Sequence, residues 1–262
     1  MISFQIDQLY GWITAFLWPF FRIVSLLGTA PVLGESSIPV RVKIGFAALI
    51  TVAVAPSVGP LPNVSPASYE GLWITLQQVL IGMSLGLTMR IVFAAVQTAG
   101  EFVGLQMGLA FASFFDPATG ANTAVLARIM NVMAILLFIS VNGHLLVLAG
   151  VLRTFETLPI SAHALNADGF NVLFEWSSQV LLGGMLLALP FIIILLTINL
   201  ALGILNRTAQ QLSVFAVGFP ITLATGLLLL MVVLPQTSPF LNHMFELGYA
   251  AMSRLTQALA GG

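Results

Sequence analysis

The chain has 262 residues, of which 59% are hydrophobic and only 6% charged, and its formal net charge is −1. Soluble globular domains carry about 25% charged residues, so this composition, with a mean hydropathy of +1.05, predicts an integral membrane protein. The near-zero charge excludes the basic footprint of a nucleic-acid-binding protein, and the absence of cysteine excludes disulfides and thiolate metal sites.

The first apolar segment, residues 9–32, carries Arg22 among aromatic residues. Arg22 is either an interfacial arginine whose charged end reaches the polar lipid region or a buried residue with a partner in the protein. Arg41 and Lys43 precede the second apolar segment, residues 44–55, and are the strongest indication of orientation. By the positive-inside rule they place the N-terminus outside the cytoplasm and the later turn at Arg207 inside it.

The third segment, residues 72–99, would be about 42 Å long as a helix, which exceeds a hydrocarbon core of about 30 Å. Gly82 and Gly86 stand four residues apart and predict close packing against another helix. Arg90 and Glu101 interrupt the apolar pattern, and at about 16 Å apart on one helix each needs a separate partner or water. Three amides are expected to hydrogen-bond to neighbouring helices: Gln77, Gln78 and Gln97.

Residues 100–117, GEFVGLQMGLAFASFFDP, are unusual because glycine recurs at every fourth position. Gly100, Gly104 and Gly108 would form a side-chain-free ridge on a helix, against which another backbone could lie. The uncharged residues 102–115 would span only about 21 Å as a helix, which is shorter than a membrane crossing. The segment is therefore predicted to be re-entrant or buried in protein, as a plug or constriction, with Asp116 and Pro117 forming the turn that ends it.

The remainder of the chain is predicted to be helical with one sizeable polar connection, at residues 153–171. Residues 125–151 are predicted to form one long helix that carries Arg128 and contains the sequence Asn-Gly-His at 142–144. Residues 174–206 and 212–234 are predicted to form a helical hairpin whose arms bend at Pro190 and Pro220. The tail, residues 240–259, either lies on a surface or crosses the membrane again.

Sequence motifs for metal binding or phosphate binding are absent, and the three histidines lie far apart. We therefore expect neither an enzyme nor a cofactor. Glu101 is weighed as an interface or helix-end charge rather than as a proton carrier, because one isolated acid cannot form a relay.

Five separated stretches carry a family resemblance: TAPVLGESSIPVRVKIGFA at 29–47, TAGEFVGLQMGLAFASFFDP at 98–117, VLARIM at 125–130, NGH at 142–144 and LNRTAQQLSVFAVGFP at 205–220. Together, and in this order, they resemble the FliR family of flagellar export proteins, whose injectisome relatives are called SctT. The resemblance covers nearly the whole chain. It departs at Gln210, where the family often has proline, and this leaves the rigidity of that turn open.

The resemblance implies an all-α integral membrane protein of long, kinked helical hairpins that forms part of a helical, cone-shaped hetero-oligomer. It implies a FliP-like part over residues 1–168 with a plug loop at 100–117, a FliQ-like hairpin over 169–235, and a C-terminal helix over 236–262. Such assemblies belong to the flagellar basal body in the bacterial inner membrane and stand largely on its periplasmic side, which would account for the overlong helices.

The same resemblance implies a structural subunit of the type III secretion core export gate, through which unfolded flagellar subunits leave the cytoplasm. The implied partners are FliP-like and FliQ-like subunits, FlhB-like and FlhA-like export components, rod proteins, unfolded export substrates and the lipid membrane. The alternative function is a self-contained secondary transporter of a small solute, which would show internal pseudo-symmetry. No convincing repeat relates the two halves of the sequence.

Carried over position by position, the resemblance assigns the channel plug to Gln106, Met107, Phe111, Phe114 and Phe115. It assigns the cytoplasmic turn that meets the FlhB-like partner to Asn206, Arg207 and Gln211. Four charged residues are expected to be buried or to lie between subunits: Arg22, Arg90, Glu101 and Arg128.

Overall fold

The computed structural model describes residues 6–109, 125–208 and 214–261, and every regular element in these ranges is helical. The helices are α1 (Ile6–Thr29), α2 (Val40–Val54), α3 (Tyr69–Gln106), α4 (Val125–Ser140), α5 (Gly143–Thr157), α6 (Gly169–Ser177), α7 (Gln179–Thr208), α8 (Val214–Val233) and α9 (Ser238–Leu259). Short 3₁₀ turns follow α2, at Ala55–Ser57, and α8, at Leu234–Thr237. The predicted all-α fold is confirmed.

Four helical stretches of the described chain are long and apolar enough to cross a membrane: Val40–Ser57, Tyr69–Gln106, Gly169–Arg207 and Val217–Leu259. A fifth is added if α4 and α5 are counted as one broken span. Because a crossing needs about 20 apolar residues, these lengths agree with the predicted integral membrane protein.

Helix α3 is longer than the sequence predicts. It has 38 residues, which is about 57 Å at the rise of an α-helix, and it continues through residues 100–106. Gly100 and Gly104 lower the helix propensity of this part. At Gly100 the close packing of the two helices offsets this loss, because a Cβ there would overlap the backbone of Ala127 in α4.

The predicted single helix over residues 125–151 is wrong. Helix α4 ends at Ser140 and α5 begins at Gly143. Asn142 between them adopts a left-handed conformation with φ of 56°, which asparagine tolerates better than most residues because its short polar side chain can bond locally. The Gly143 carbonyl then accepts a hydrogen bond of 3.3 Å from the Tyr249 hydroxyl of α9.

The described chain divides into two compact units. The first lies within Met1–Ile91, Asn142–Ser177 and Glu246–Gly262. Within it, α1 and α3 approach closely at two glycines: a Cβ on Gly82 would overlap the Arg22 carbonyl, and one on Gly86 would overlap the Thr29 side chain. The predicted close packing at Gly82 and Gly86 is confirmed.

The second unit lies within Val92–Val141 and Ser178–Phe245. Its core contains three aromatic rings, those of Phe93, Phe138 and Phe245, whose centroids are 5.2 to 5.8 Å apart. Helices α7 and α8 contact each other and form the predicted hairpin, with Pro190 inside α7 and Pro220 inside α8.

Candidate functional site

The C-terminal end of α3 is closed by a glycine motif. The amide of Leu109 donates to the Gly104 carbonyl and the amide of Gly108 donates to the Leu105 carbonyl, both at 3.0 Å. With φ of 82° at Gly108, this is the Schellman arrangement, in which glycine adopts the left-handed conformation just after the helix. Gly108 therefore lies outside the helix, and the predicted three-glycine ridge is wrong at this position.

The two other glycines of that ridge have different environments. A Cβ on Gly100 would overlap the Ala127 backbone, whereas a Cβ on Gly104 would meet its nearest described neighbour, the Leu109 side chain, at an ordinary 3.9 Å. Close backbone packing in this segment is therefore a property of Gly100.

Two carbonyls at the end of α3 are held by the α7–α8 hairpin. The Asn199 side-chain amide of α7 donates to the Gln106 carbonyl at 3.3 Å. The Thr222 hydroxyl of α8 shares its one proton between the Met107 carbonyl at 3.2 Å and the Phe219 carbonyl of its own helix at 3.1 Å. The last carbonyls of a helix have no partner within the helix, and buried polar groups are costly without one. The hairpin supplies these partners.

The Met107 side chain is fully buried and lies where α8 has no side chain. A Cβ on Gly226 would come within 2.5 Å of three Met107 atoms, Cγ, Sδ and Cε. We call this group of contacts the α3 anchor: Gln106, Met107, Asn199, Thr222 and Gly226. The resemblance assigns Gln106 and Met107 to the plug but does not point to the hairpin residues. Asn199 and Thr222 are signalled in the sequence only as polar side chains within largely apolar helices, and Gly226 has no such signal.

Arg22 occupies the interior of the first unit, with none of its surface exposed. Its Nε donates to the Gln78 Oε1 at 2.8 Å, and Nη1 donates to the Thr154 carbonyl at 3.0 Å and hydroxyl at 2.9 Å. Nη2 donates to the Leu158 carbonyl at 3.0 Å, and the guanidinium lies 4.4 Å from the centre of the Phe155 ring. Of the two alternatives for Arg22, the structure therefore shows the buried one.

No carboxylate contacts Arg22 within the described ranges. Its charge is instead stabilised by the carbonyls at the C-terminus of α5, where the helix dipole is negative, and by the π face of Phe155. The Arg22 cluster thus joins α1, α3 and the end of α5.

The other predicted site residues are distributed along the chain. The side chains of Arg90, Glu101 and Arg128 are exposed on the single chain, as is that of Arg207 near the end of α7, where Asn206 is half-buried. Six predicted residues lie outside the described ranges: Phe111, Phe114, Phe115, Asp116, Pro117 and Gln211.

The chemistry of the α3 anchor and of the Arg22 cluster is structural: their hydrogen bonds hold backbone and side chains in place. Within residues 6–109, 125–208 and 214–261, no group of three or more His, Cys, Asp or Glu residues is placed to hold a metal ion. The α3 anchor and the Arg22 cluster consist of donors matched to carbonyl and amide acceptors.

Comparison with known proteins gives consistent similarities over most of the chain. Residues 13–248 match the family described as bacterial export proteins, family 1. The flagellar biosynthetic protein FliR of Escherichia coli K12 is 49% identical over 246 residues, which cover 94% of each chain. The protein of the same name from Bacillus subtilis 168 is 32% identical over 257 residues, covering 94% of this chain and 96% of the relative. A third, from Pectobacterium carotovorum, is again 49% identical over 246 residues.

Proposed function

Since the chain belongs to the bacterial export proteins of family 1, among the flagellar biosynthetic proteins FliR, we propose that it is a structural subunit of the export channel itself. It is a membrane component of the flagellar type III export apparatus. In the proposed role it assembles with FliP-like and FliQ-like subunits around a conduit for unfolded flagellar subunits, and catalyses no reaction.

The observation that carries this proposal is the α3 anchor. The segment that resembles the family's plug begins at the end of α3, and the described part of it is fastened at three points to the α7–α8 hairpin. A segment that closes a conduit must be held at its base while the rest remains free to rearrange. We propose that Gln106 and Met107 form this base, and that Phe111, Phe114 and Phe115 provide the obstruction beyond it.

The lengths of the helices support an assembly that extends beyond the bilayer. The candidate spans Gly169–Arg207 and Val217–Leu259 contain 39 and 43 residues, about twice the number that a crossing needs. We propose that these stretches project from the inner membrane on its periplasmic side.

The exposed apolar surface supports packing against other subunits. In the most apolar window of Tyr69–Gln106, 61% of residues are buried, but the share falls to 33% in Gly169–Arg207 and 22% in Val217–Leu259. Leu181 and Leu200 of α7 are about two thirds exposed, at 66% and 67%. Such surface must be covered by lipid or by other chains, and we propose that FliP-like and FliQ-like subunits cover much of it.

Three finer assignments complete the proposal. Asn206, Arg207 and Gln211 face the cytoplasm and meet the FlhB-like partner, with FlhA-like components and rod proteins as further neighbours. Arg90, Glu101 and Arg128, exposed on the single chain, pair with groups on neighbouring subunits. The division into a FliP-like part (1–168), a FliQ-like hairpin (169–235) and a C-terminal helix (236–262) follows the resemblance and stays a prediction.

The test is co-expression of the affinity-tagged chain with the FliP-like and FliQ-like subunits of the same organism, followed by mass measurement of the detergent-extracted complex. We expect a hetero-oligomer, and a leak to small ions in cells when residues 107–115 are deleted. A monomer, or a chain that alone transports a small solute in liposomes, would contradict the proposed function. A sealed and fully active gate after the deletion would contradict the plug.

A further inference from the structure

Helix α2 is held to the rest of the first unit by few buried side chains. It contacts α1, but of its 15 residues only Ala47 and Thr51 are buried. Large apolar side chains elsewhere on the helix are exposed, as at Leu49, which is 71% exposed. An element with so little buried apolar surface opens at a low local free energy. Other contacts must therefore decide whether α2 stays against α1.

The loop that joins α1 to α2 contains a strained residue. Val32 has a φ of 66°, and the Leu33 amide donates to the Pro31 carbonyl across it at 2.8 Å. A three-residue turn with positive φ at its centre is rare and strained, and this conformation is still less usual for a β-branched residue. Within the described ranges, the other non-glycine residue with positive φ is Asn142, a residue type that tolerates it. Strain of this kind persists only where neighbouring contacts oppose its release.

Two sets of contacts oppose the release of strain at Val32. The Gly34 amide donates to the Ala30 carbonyl at 2.8 Å, and the approach is so close that a Cβ on Gly34 would overlap this carbonyl. The Lys43 ammonium, from the first turn of α2, donates to the Gly34 and Glu35 carbonyls at 2.9 Å each. A cation near the N-terminus of a helix interacts unfavourably with the helix dipole. Lys43 therefore stabilises the loop rather than its own helix.

We propose that Lys43 is a latch that keeps the strained loop closed and α2 against α1. The Lys43 latch consists of Val32, Gly34, Glu35 and Lys43. While the ammonium binds the two carbonyls, the loop keeps the positive φ at Val32. When the ammonium is withdrawn, the backbone at Val32 relaxes to a negative φ, the loop extends, and α2, with two buried residues, separates from α1. This device belongs to the first unit and does not rest on the proposed function.

A single engineered cysteine reports this separation, because the chain contains no cysteine of its own. T51C places the thiol at a buried position of α2, and L49C places it at an exposed position of the same helix. The full chain is purified in a non-ionic detergent, and the rate of maleimide labelling at T51C is divided by the rate at L49C. The ratio of the two rates measures how often α2 leaves α1.

Substitutions at the latch should change this ratio in opposite directions. We expect K43M to raise it about tenfold or more, since hydrogen bonds from a charged donor are stronger than neutral ones. K43R keeps the charge and several donors and should stay near the parent value. V32N should lower the ratio about threefold, because asparagine adopts positive φ with less strain than valine. R41Q is the matched control, because Arg41 is an exposed cation in the same turn of α2, and it should leave the ratio unchanged.

This pattern of ratios supports the latch, and three other results contradict it. An unchanged ratio in K43M would overturn the proposal. An equal rise in R41Q would do the same, since it would indicate a general effect of lost charge. An unchanged or higher ratio in V32N would show that strain at Val32 does not act against the latch and would likewise overturn it.

A further cysteine separates local opening from loss of the whole fold. S84C lies at a buried position of α3 in the same unit. K43M should leave the labelling rate at S84C unchanged, because only α2 is released. A rise at S84C equal to that at T51C would mean that the whole unit unfolds, and it would refute a local latch.

Discussion

Met107 fills the space that a side chain at Gly226 would take. The Met107 side chain is fully buried, and its Cγ, Sδ and Cε atoms all lie within 2.5 Å of the point where a Cβ on Gly226 would stand. The end of α3 and the middle of α8 are therefore complementary at this point. The complementarity links the segment that begins at Met107 to the hairpin, and it can be broken from either side.

A larger residue at position 226 should displace Met107. We expect G226V to lower the free energy of unfolding by about 1–3 kcal/mol, as overpacking does, and to increase ion leakage through the assembled complex. The measurements are the melting midpoint in detergent and the growth of cells under an imposed salt load.

The control for this substitution is G203V in α7, where a Cβ would meet no atom within 4 Å. The double variant M107A/G226V should recover part of the lost stability, because residues in contact are non-additive. Simple additivity of the two single effects would show that Met107 and Gly226 do not share a space.

The hydrogen bonds of the α3 anchor should contribute modestly to stability and more clearly to local order. We expect N199L and T222V each to cost about 0.6 kcal/mol, the average for interhelical hydrogen bonds in membranes. Hydrogen exchange of the amides of residues 104–109 should become faster in both variants. T197V is a suitable control, since within residues 6–109, 125–208 and 214–261 the Thr197 hydroxyl bonds only to the Ile193 carbonyl of its own helix. Unchanged exchange in both anchor variants would contradict the anchor.

Removal of the Arg22 guanidinium should be strongly destabilising. In R22M the Gln78 amide oxygen and the Leu158 carbonyl lose the donors that Arg22 supplies, whereas the Thr154 carbonyl keeps the Leu158 amide. Each buried acceptor left unpaired costs about 1–3 kcal/mol. R22K should recover only part of the loss, because an ammonium cannot reproduce the planar guanidinium contacts. Thermal unfolding measures both variants. R90Q, at an exposed arginine, should stay within about 0.5 kcal/mol of the parent, and an equally small effect in R22M would refute the cluster.

Gly100 and Gly104 should respond oppositely to the same change. G100A places a Cβ against the backbone of Ala127, which cannot move without shifting α4, so we expect a clear loss of stability and of assembly. G104A finds ordinary space and should gain up to about 1 kcal/mol from helix propensity. Circular dichroism melts of the two variants distinguish them directly. A tolerated G100A would contradict the close approach of α3 and α4.

Much of the fold follows from hydropathy and glycine spacing, as the α7–α8 hairpin and the pair Gly82 and Gly86 illustrate. The break at Asn142 was not predictable from periodicity, because apolar residues continue on both sides of it and the left-handed turn is a local choice. The sequence leaves two alternatives for Arg22, since residues 14–30 around it contain no acidic side chain that could pair with it. Its partners are carbonyls and an amide, which leave no trace in charge patterning.

The candidate site shows the same limit. The resemblance assigns Gln106 and Met107 to the plug. Their contacts with Asn199, Thr222 and Gly226 join residues that are about 90 to 120 positions apart along the chain. Contacts of this kind arise from how the hairpin packs against α3, and the residue pattern of a single segment does not predict them. What the sequence does record is that Asn199 and Thr222 are polar within apolar helices.

The left-handed glycine at position 108 affects how genetic data on this segment should be interpreted. With φ of 82°, an L-residue in place of this glycine carries about 1–2 kcal/mol of backbone strain, whatever its side chain touches. A saturation screen would therefore find position 108 intolerant to substitution for reasons of chain reversal alone. Loss of export after substitution at position 108 would then say nothing about whether exported subunits pass beside it. Loss of export that increases with side-chain volume at neighbouring positions would be evidence that they do.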